Sequence, residues 1–443
     1  MRIQLSEHFS YGRLLRFTLP SIAMMIFTSI YGIVDGIFVS NFAGKTPFAA
    51  INLIMPYIMV VGCVGFMLGT GGTALIAKTL GMGDRKKANE LFSMLTWVCV
   101  VCGLTLTVVS IGLLRPAAIL FGAQGEMLSD CIAYGQIVLL SATAYILQFA
   151  YQSFCVTAEK ANLSLIMTVG SGVCNILLDA LFVAVFDWGL IGAAAATAIA
   201  QMVGAAIPLV YFARPNNSLL RLGRFRFQGK ELLQACTNGS SELLSNLSMS
   251  LVGILYNLQL MHYAGEDGVA AYGVIMYVNL VFLSIFIGFS IGSAPLIGYN
   301  YGADNRAELK NLLSKSLVVL AISALAMCGS ALLLAKPLSA VFVGYDKALM
   351  DMTVRGFFIY AFSFLFTGFN IFGSSLFTAL NNGLISAVIS FFRTLVCQVA
   401  AVLLLPLVLQ LDGVWLAIVA AELGAMLLTA FFFGKYRTRY HYA

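Results

Sequence analysis

Charge is what this chain has least of. Asp, Glu, Lys and Arg make up 10% of its 443 residues, against about 25% in a soluble globular domain. So few charges cannot clothe a water-facing shell of this size. Histidine is scarcer still. His8, His262 and His441 lie near helix ends or the termini and form no metal cluster. There is no G-x-x-x-x-G-K-[ST] phosphate loop, and with it no ATPase motor, and no H-E-x-x-H or G-x-S-x-G motif. Neither an enzyme nor a resident cofactor or metal is therefore expected. The nine cysteines imply no disulfide framework. Most, including Cys63, Cys99, Cys102, Cys174, Cys328 and Cys397, sit in apolar runs and read as small helix residues. Cys99-x-x-Cys102 has a redox or metal spacing, yet no His or acid lies beside it. A cleavable leader is not expected either, because the first apolar run, from about Leu14 to Val39, is too long for one.

What the chain has in abundance is apolar sequence: 60% of its residues are hydrophobic. A membrane-spanning helix needs about 20 mostly apolar residues, and twelve runs qualify: 14–40, 48–77, 91–114, 132–157, 162–186, 189–213, 232–262, 268–298, 312–335, 353–380, 384–409 and 411–434. The fold class expected is an all-α integral membrane protein. With the N-terminus placed inside, nineteen of the 25 Lys and Arg residues fall in inner segments, five in outer ones, and Arg393 inside a helix. This asymmetry puts both termini in the cytoplasm, in a bacterial-type inner (cytoplasmic) membrane. The net charge of +6 lies in short loops, so the lipid bilayer, not nucleic acid, is the expected partner, and a monomer the expected state.

The longest polar stretch, residues 214–231 (RPNNSLLRLGRFRFQGKE), falls almost at the midpoint and reads as a basic cytoplasmic linker between lobes 1–213 and 232–443. The lobes repeat. At a constant offset of 221 residues, Ala43-Gly44 falls on Ala264-Gly265, Ile54-Met55 on Ile275-Met276, Gly81 on Gly302, Arg85 on Arg306, Pro116 on Pro337 and Gly135 on Gly356. Six spans per lobe is an even number, so both lobes enter from the same side. The expected architecture is two parallel six-helix repeats around a central cavity, a layout that suits rocking transporters.

A charge within the bilayer is costly and marks a functional candidate. Of nineteen acids, four lie well inside predicted helices: Asp35, Asp179, Glu242 and Glu422. Asp35 lies 19 residues beyond Arg16, and Asp179 lies 19 beyond Lys160. Both therefore sit roughly 28 Å from the inner surface. Asn175 is one turn before Asp179, Thr197 lies on the neighbouring descending helix, and Gln152 adds an amide. A carboxyl group held out of water favours its protonated form, so such a nest can carry a proton. It can also be a polar network that only joins helices. Pro20, inside the first helix, removes a hydrogen bond and permits a kink, either static or coupled to protonation of Asp35.

The acid pair does not recur at the offset: Asp35 falls on Tyr256 and Asp179 on Ala400. Instead Glu242, Arg393 and Glu422 all fall near mid-membrane, and Arg393 is expected to pair with one or both glutamates, as a structural ion pair or as part of substrate binding or lobe movement. Tyr256, Met276, Tyr277 and Phe286 are candidate walls of a cavity for flat lipophilic cations, with packing or lipid contact as the alternative.

Several motifs, in order and at these spacings, are together specific: Pro20 with V-D-G-I-F-V-S (34–40), the paired loops L-G-M-G-D-R-K-K-A (80–88) and Y-G-A-D-N-R-A-E-L-K (301–310), N-I-L-L-D (175–179) and G-A-A-A-A-T (192–197). In these the chain resembles the multidrug and toxic compound extrusion (MATE) family over essentially its whole length, and within it the branch of DNA-damage-inducible-type and MepA-type proteins. The resemblance implies a secondary active antiporter that exports amphipathic, mostly cationic drugs in exchange for H+ or, less in keeping, Na+. It also implies a coupling site at Asp35, Asn175, Asp179 and Thr197, with a looser match at Gln152. Three departures stand out: Ser240-Ser241 where relatives often have a proline, T-A-E-K-A (157–161) in the loop between spans 4 and 5, and no clear match at Glu242 to the acids of sodium-coupled members. Two other readings remain: a flippase for lipid-linked precursors, which would need a strongly basic cavity, and an uncoupled channel or receptor.

Overall fold

The structure, a computed structural model, describes residues 3–38, 45–440 and 442, apart from the side chains of residues 33, 35–38, 45 and 48. All regular elements among the described residues are helical, the form in which an apolar chain satisfies its own backbone in lipid. They are α1 (Tyr11–Phe38), α2 (Lys45–Gly81), α3 (Arg85–Leu120), α4 (Gly125–Leu140), α5 (Ala142–Thr157), α6 (Ala161–Asp179), α7 (Gly189–Ala213), α8 (Gly229–Gly302), α9 (Arg306–Val343), α10 (Lys347–Tyr360), α11 (Phe364–Ala379), α12 (Gly383–Phe391), α13 (Gln398–Leu409) and α14 (Leu411–Tyr440).

Some crossings are broken helices. α4 and α5 form one span bent by 57°, at a point where the Ser141 hydroxyl donates to the Val138 carbonyl at 2.7 Å. α10 and α11 join through a 3-10 turn at Ala361–Ser363, and α12 and α13 through a π segment at Phe392–Cys397. α8 is 74 residues long and contains two crossings, separated at Gly265 (φ 63°, ψ −151°). Without a Cβ, glycine adopts this conformation at little cost. Counted so, the described residues make twelve crossings, the number read from the sequence.

The helices outrun their apolar cores. α3 spans 36 residues where the run 91–114 marked it, and α9 spans 38 where 312–335 did. Their first turns are polar and are held by caps. Asp84 accepts from the Lys87 amide at 2.9 Å, and Asn305, 221 residues later, accepts from the Glu308 amide at 3.1 Å.

Two buried apolar clusters divide the molecule. One draws on residues from Ala50 to Ala235. The other runs mainly from Val252 to Tyr442 and also takes in Leu5, Phe9, Leu14 and Phe17 from the start of the chain. The halves meet along α1, α2 and α8, near the face that carries both termini. There Gly81 abuts the Tyr299 carbonyl and Gly302 abuts the Lys78 carbonyl, a reciprocal crossing in which each contact repeats at the 221-residue offset. Further along, a Cβ on Gly71 or Gly239 would strike the facing backbone. The Asn381 amide donates to the Ala74 carbonyl at 3.0 Å and the Asn238 amide to Asn381 Oδ1 at 2.9 Å.

Candidate functional site

Hydrogen bonds fix the register of the first-half helices. Ser164 on α6 donates to Met24 Sδ on α1 at 2.9 Å. Both helices run outward from the terminal face, so residue 35 of α1, eleven beyond Met24, lies level with Asn175, eleven beyond Ser164. The side chain of Asp35 itself lies outside the described residues. Ser171 on α6 donates to the Ala200 carbonyl of the antiparallel α7 at 2.7 Å, which brings Thr197 to the level of Asn175. One turn on, Asp179 is 0% exposed. A π segment (Ala180–Val185) begins immediately after it. Such wide turns recur at functional positions in helices.

Around Asp179, Asn175 Nδ2 and Thr197 Oγ1 are buried with no hydrogen-bond partner among the described residues. Gln152 sits lower. Ser164 donates to its backbone carbonyl at 3.0 Å, which sets Gln152 roughly 16 Å from Asn175 along the helix. Its Oε1 is likewise buried without a described partner. Pro20 lies where α1 crosses α8, between the Thr18–Gly292 contact and the approach of Ser21 and Ile22 to Gly288.

The second half is paired. Arg393, inside the π segment, donates through Nε to Glu422 at 2.9 and 3.0 Å, and the two side chains are 15% and 2% exposed. The Asn370 amide donates to Glu422 Oε2 at 2.7 Å and to its backbone carbonyl at 2.9 Å, and Thr429 donates to Asn370 Oδ1 at 3.1 Å. Glu242 is half-buried on α8, and Arg393 lies within electrostatic reach of it. Of the two glutamates, Glu422 is the one hydrogen-bonded to the guanidinium.

The aromatic candidates differ in burial. Tyr256 is buried and stacks on Tyr272, ring centres 5.2 Å apart. Phe286 is buried against Gly368 and serves as core packing in this conformation. Met276 is half-buried. Tyr277 is exposed and stacks on Phe342 of α9.

Asn370 escaped the reading of the sequence, which searched for acids and bases. An amide inside the apolar run FLFTGFNIFG was the available signal. The buried Trp415 Nε1 and Tyr256 OH, both without described partners, were equally silent.

With this geometry in hand, likeness to known proteins becomes informative. The MatE family model matches the chain twice, over residues 20–181 and 243–403, well over half its length. This chain belongs to the MatE family. Its relatives include the multidrug export protein MepA of Staphylococcus saprophyticus, 28% identical over 80% of both chains, and MepA of Staphylococcus aureus, 25% identical over 81% of this chain and 80% of that one. Among solved structures, the fold is shared with a multidrug resistance MATE family transporter in its outward-facing conformation (TM-score 0.92, 23% identity, 99% and 97% of the two chains). It is shared too with a MOP superfamily transporter from Pyrococcus furiosus (TM-score 0.91, 22% identity, 99% and 98%). The resemblance read from the motifs thus holds, and this MatE member is a multi-pass membrane protein of the transporter fold.

Proposed function

We propose that this protein exports amphipathic, mostly cationic small molecules from the cytoplasm in exchange for H+, with lobes 1–213 and 232–443 rocking about the basic linker 214–231 and both termini cytoplasmic. The observation that carries the reading is the fully enclosed Asp179, which shares its level with Asn175, Thr197 and residue 35 of α1. A carboxyl group there can hold a proton when the nest is shut from water and release it when the nest opens. Asp35, level with Asn175 on α1, shares that task, and Pro20 lets α1 bend in response. The relatives named as multidrug exporters support the substrate class. The Arg393–Glu422 pair acts as a brace within the second half. A flippase for phosphorylated lipids would want free basic groups deep in the cavity, whereas Arg393 is already bound to Glu422.

The test is dye efflux from reconstituted vesicles under an imposed pH gradient, with and without sodium, comparing the parent with Asp35→Asn. Efflux driven by the pH gradient alone, and lost in the variant, is the expected result. Efflux that requires sodium, or that survives Asp35→Asn, would overturn H+ coupling at this site.

A further inference from the structure

The residues that lead into α1 and into α8 do something the transport cycle described above does not use. Each entry segment grips the third span of the opposite half. At the start of the chain, Leu5 and Phe9 are fully buried in the second-half cluster. The Phe9 amide donates to Glu308 Oε1 at 2.9 Å, and His8 Nδ1 meets Glu308 Oε2 at 2.6 Å. The Phe9 carbonyl accepts from Lys315 Nζ at 2.6 Å and from Asn311 Nδ2 at 2.9 Å. Glu308, Asn311 and Lys315 share one face of α9. The same segment reaches back to the first half, where the Leu5 amide donates to Glu159 Oε1 at 2.8 Å. Glu159 belongs to T-A-E-K-A, the loop in which this chain departs from its family's pattern.

The linker mirrors this on the other side. The amides of Arg221 and Gly223 donate to Asn89 Oδ1 and Ser93 Oγ on α3 at 2.7 and 3.0 Å. Leu220 is buried in the first-half cluster. At the first turn of α8, Glu231 pairs with Lys87 at 3.5 Å. Lys87 and Glu308 occupy equivalent positions, 221 residues apart, on the third spans of the two halves.

We infer that residues 3–10 and 218–231 are reciprocal straps that latch the terminal face shut, and that the first of them must let go before the halves can part on that side. The inference rests on the reading that the halves move. The geometry supports it independently of what is transported. Both straps lie on the face where Gly81 and Gly302 bring the halves into backbone contact, a contact that Gly71 and Gly239 continue further along. The N-terminal strap is the stronger, because several hydrogen bonds, two of them charge-assisted, converge on two backbone groups of Phe9. It also joins both halves at once, through Glu159 and Glu308.

Hydrogen–deuterium exchange on the full-length protein in lipid nanodiscs tests this without any transport assay. In Glu308→Ala, residues 3–10, 74–81 and 292–302 should exchange about tenfold faster than in the parent, the change that follows when a charge-assisted hydrogen bond is lost from the closed state. The interior of α6 and α7 should be unchanged. Should Glu308→Ala fail to fold, His8→Ala and Glu159→Ala, each of which removes one tie, should give the same pattern at smaller amplitude. Variants that fold, loosen only residues 3–10 and leave 74–81 and 292–302 as protected as in the parent would refute the latch. That result would leave the proposed efflux activity standing.

Discussion

In the first half, an enclosed carboxylate, Asp179, closes α6 among amide and hydroxyl atoms that lack described partners. In the second, Glu422 is clasped by the Arg393 guanidinium and by Asn370. In both halves the buried charge meets a π segment in the fifth span: Ala180–Val185 directly follows Asp179, and Phe392–Cys397 contains Arg393. The same local device therefore serves two electrostatic ends. A satisfied ion pair holds its charge state and its geometry. An acid with no cation clasped to it among the described residues can change its charge state without stranding a buried partner, which an exchanging site requires. Duplication supplied two lobes of one plan, and the difference between them lies in what surrounds the buried acid: a guanidinium at Glu422, and amide and hydroxyl side chains at Asp179.

Substitutions can break or sharpen this contrast. The largest effect is expected from Asp179→Asn, which removes the exchangeable proton while keeping the shape. Efflux under a pH gradient should fall to the level of empty vesicles, with thermal stability in detergent near that of the parent. Glu422→Gln should do the opposite. It strands the Arg393 charge at a cost of about 3–5 kcal/mol, read as a large drop in thermal midpoint, and Arg393→Met added to Glu422→Gln should restore most of it. Gly239→Val, on the crossing between halves, drives a side chain into the Met67 backbone. It should destabilise the closed face by about 1–3 kcal/mol, visible as faster exchange in residues 67–81. The smallest effect is expected at the bend between α4 and α5. Ser141→Ala removes the hydroxyl that also meets Gln201 Oε1 at 2.6 Å and should cost about 0.5–1.5 kcal/mol of stability.

Much of this fold is legible because the bilayer simplifies the reading. Where only a helix can hide the backbone, apolar length alone locates the crossings. The breaks were not visible in the same way. The bend at Ser141 and the π turns after Asp179 and through Arg393 arise from side-chain hydrogen bonds and packing between helices, which leave no mark on local hydropathy. The one break with a sequence signal is Gly265, because only glycine takes that conformation freely. Counting residues from basic ends gave Asp179 its depth, and the Met24–Ser164 bond fixes the level of residue 35 in the same way. No such count places Gln152, which enters only as an amide on a neighbouring helix, and the Ser164 bond to its carbonyl sets it lower than the nest. Pairing of Arg393 with Glu422 could be foreseen from scarcity, as a buried guanidinium has few acids to choose from. The role of Asn370 could not, because an amide carries no charge to count. The N-terminal strap was out of reach for another reason: its contacts with α9 join residues about 300 apart, and most of them use the backbone of Phe9, a group that every residue has.

The most direct test of the contrast is one experiment with two proteins. Efflux of a cationic dye driven by a pH gradient would be measured in vesicles containing either Asp179→Asn or the double variant Arg393→Met with Glu422→Gln. The account predicts that the first is silent and that the second, once shown to be folded, still couples dye efflux to the proton gradient. Active Asp179→Asn beside an uncoupled double variant would contradict it and move the coupling site to the second half.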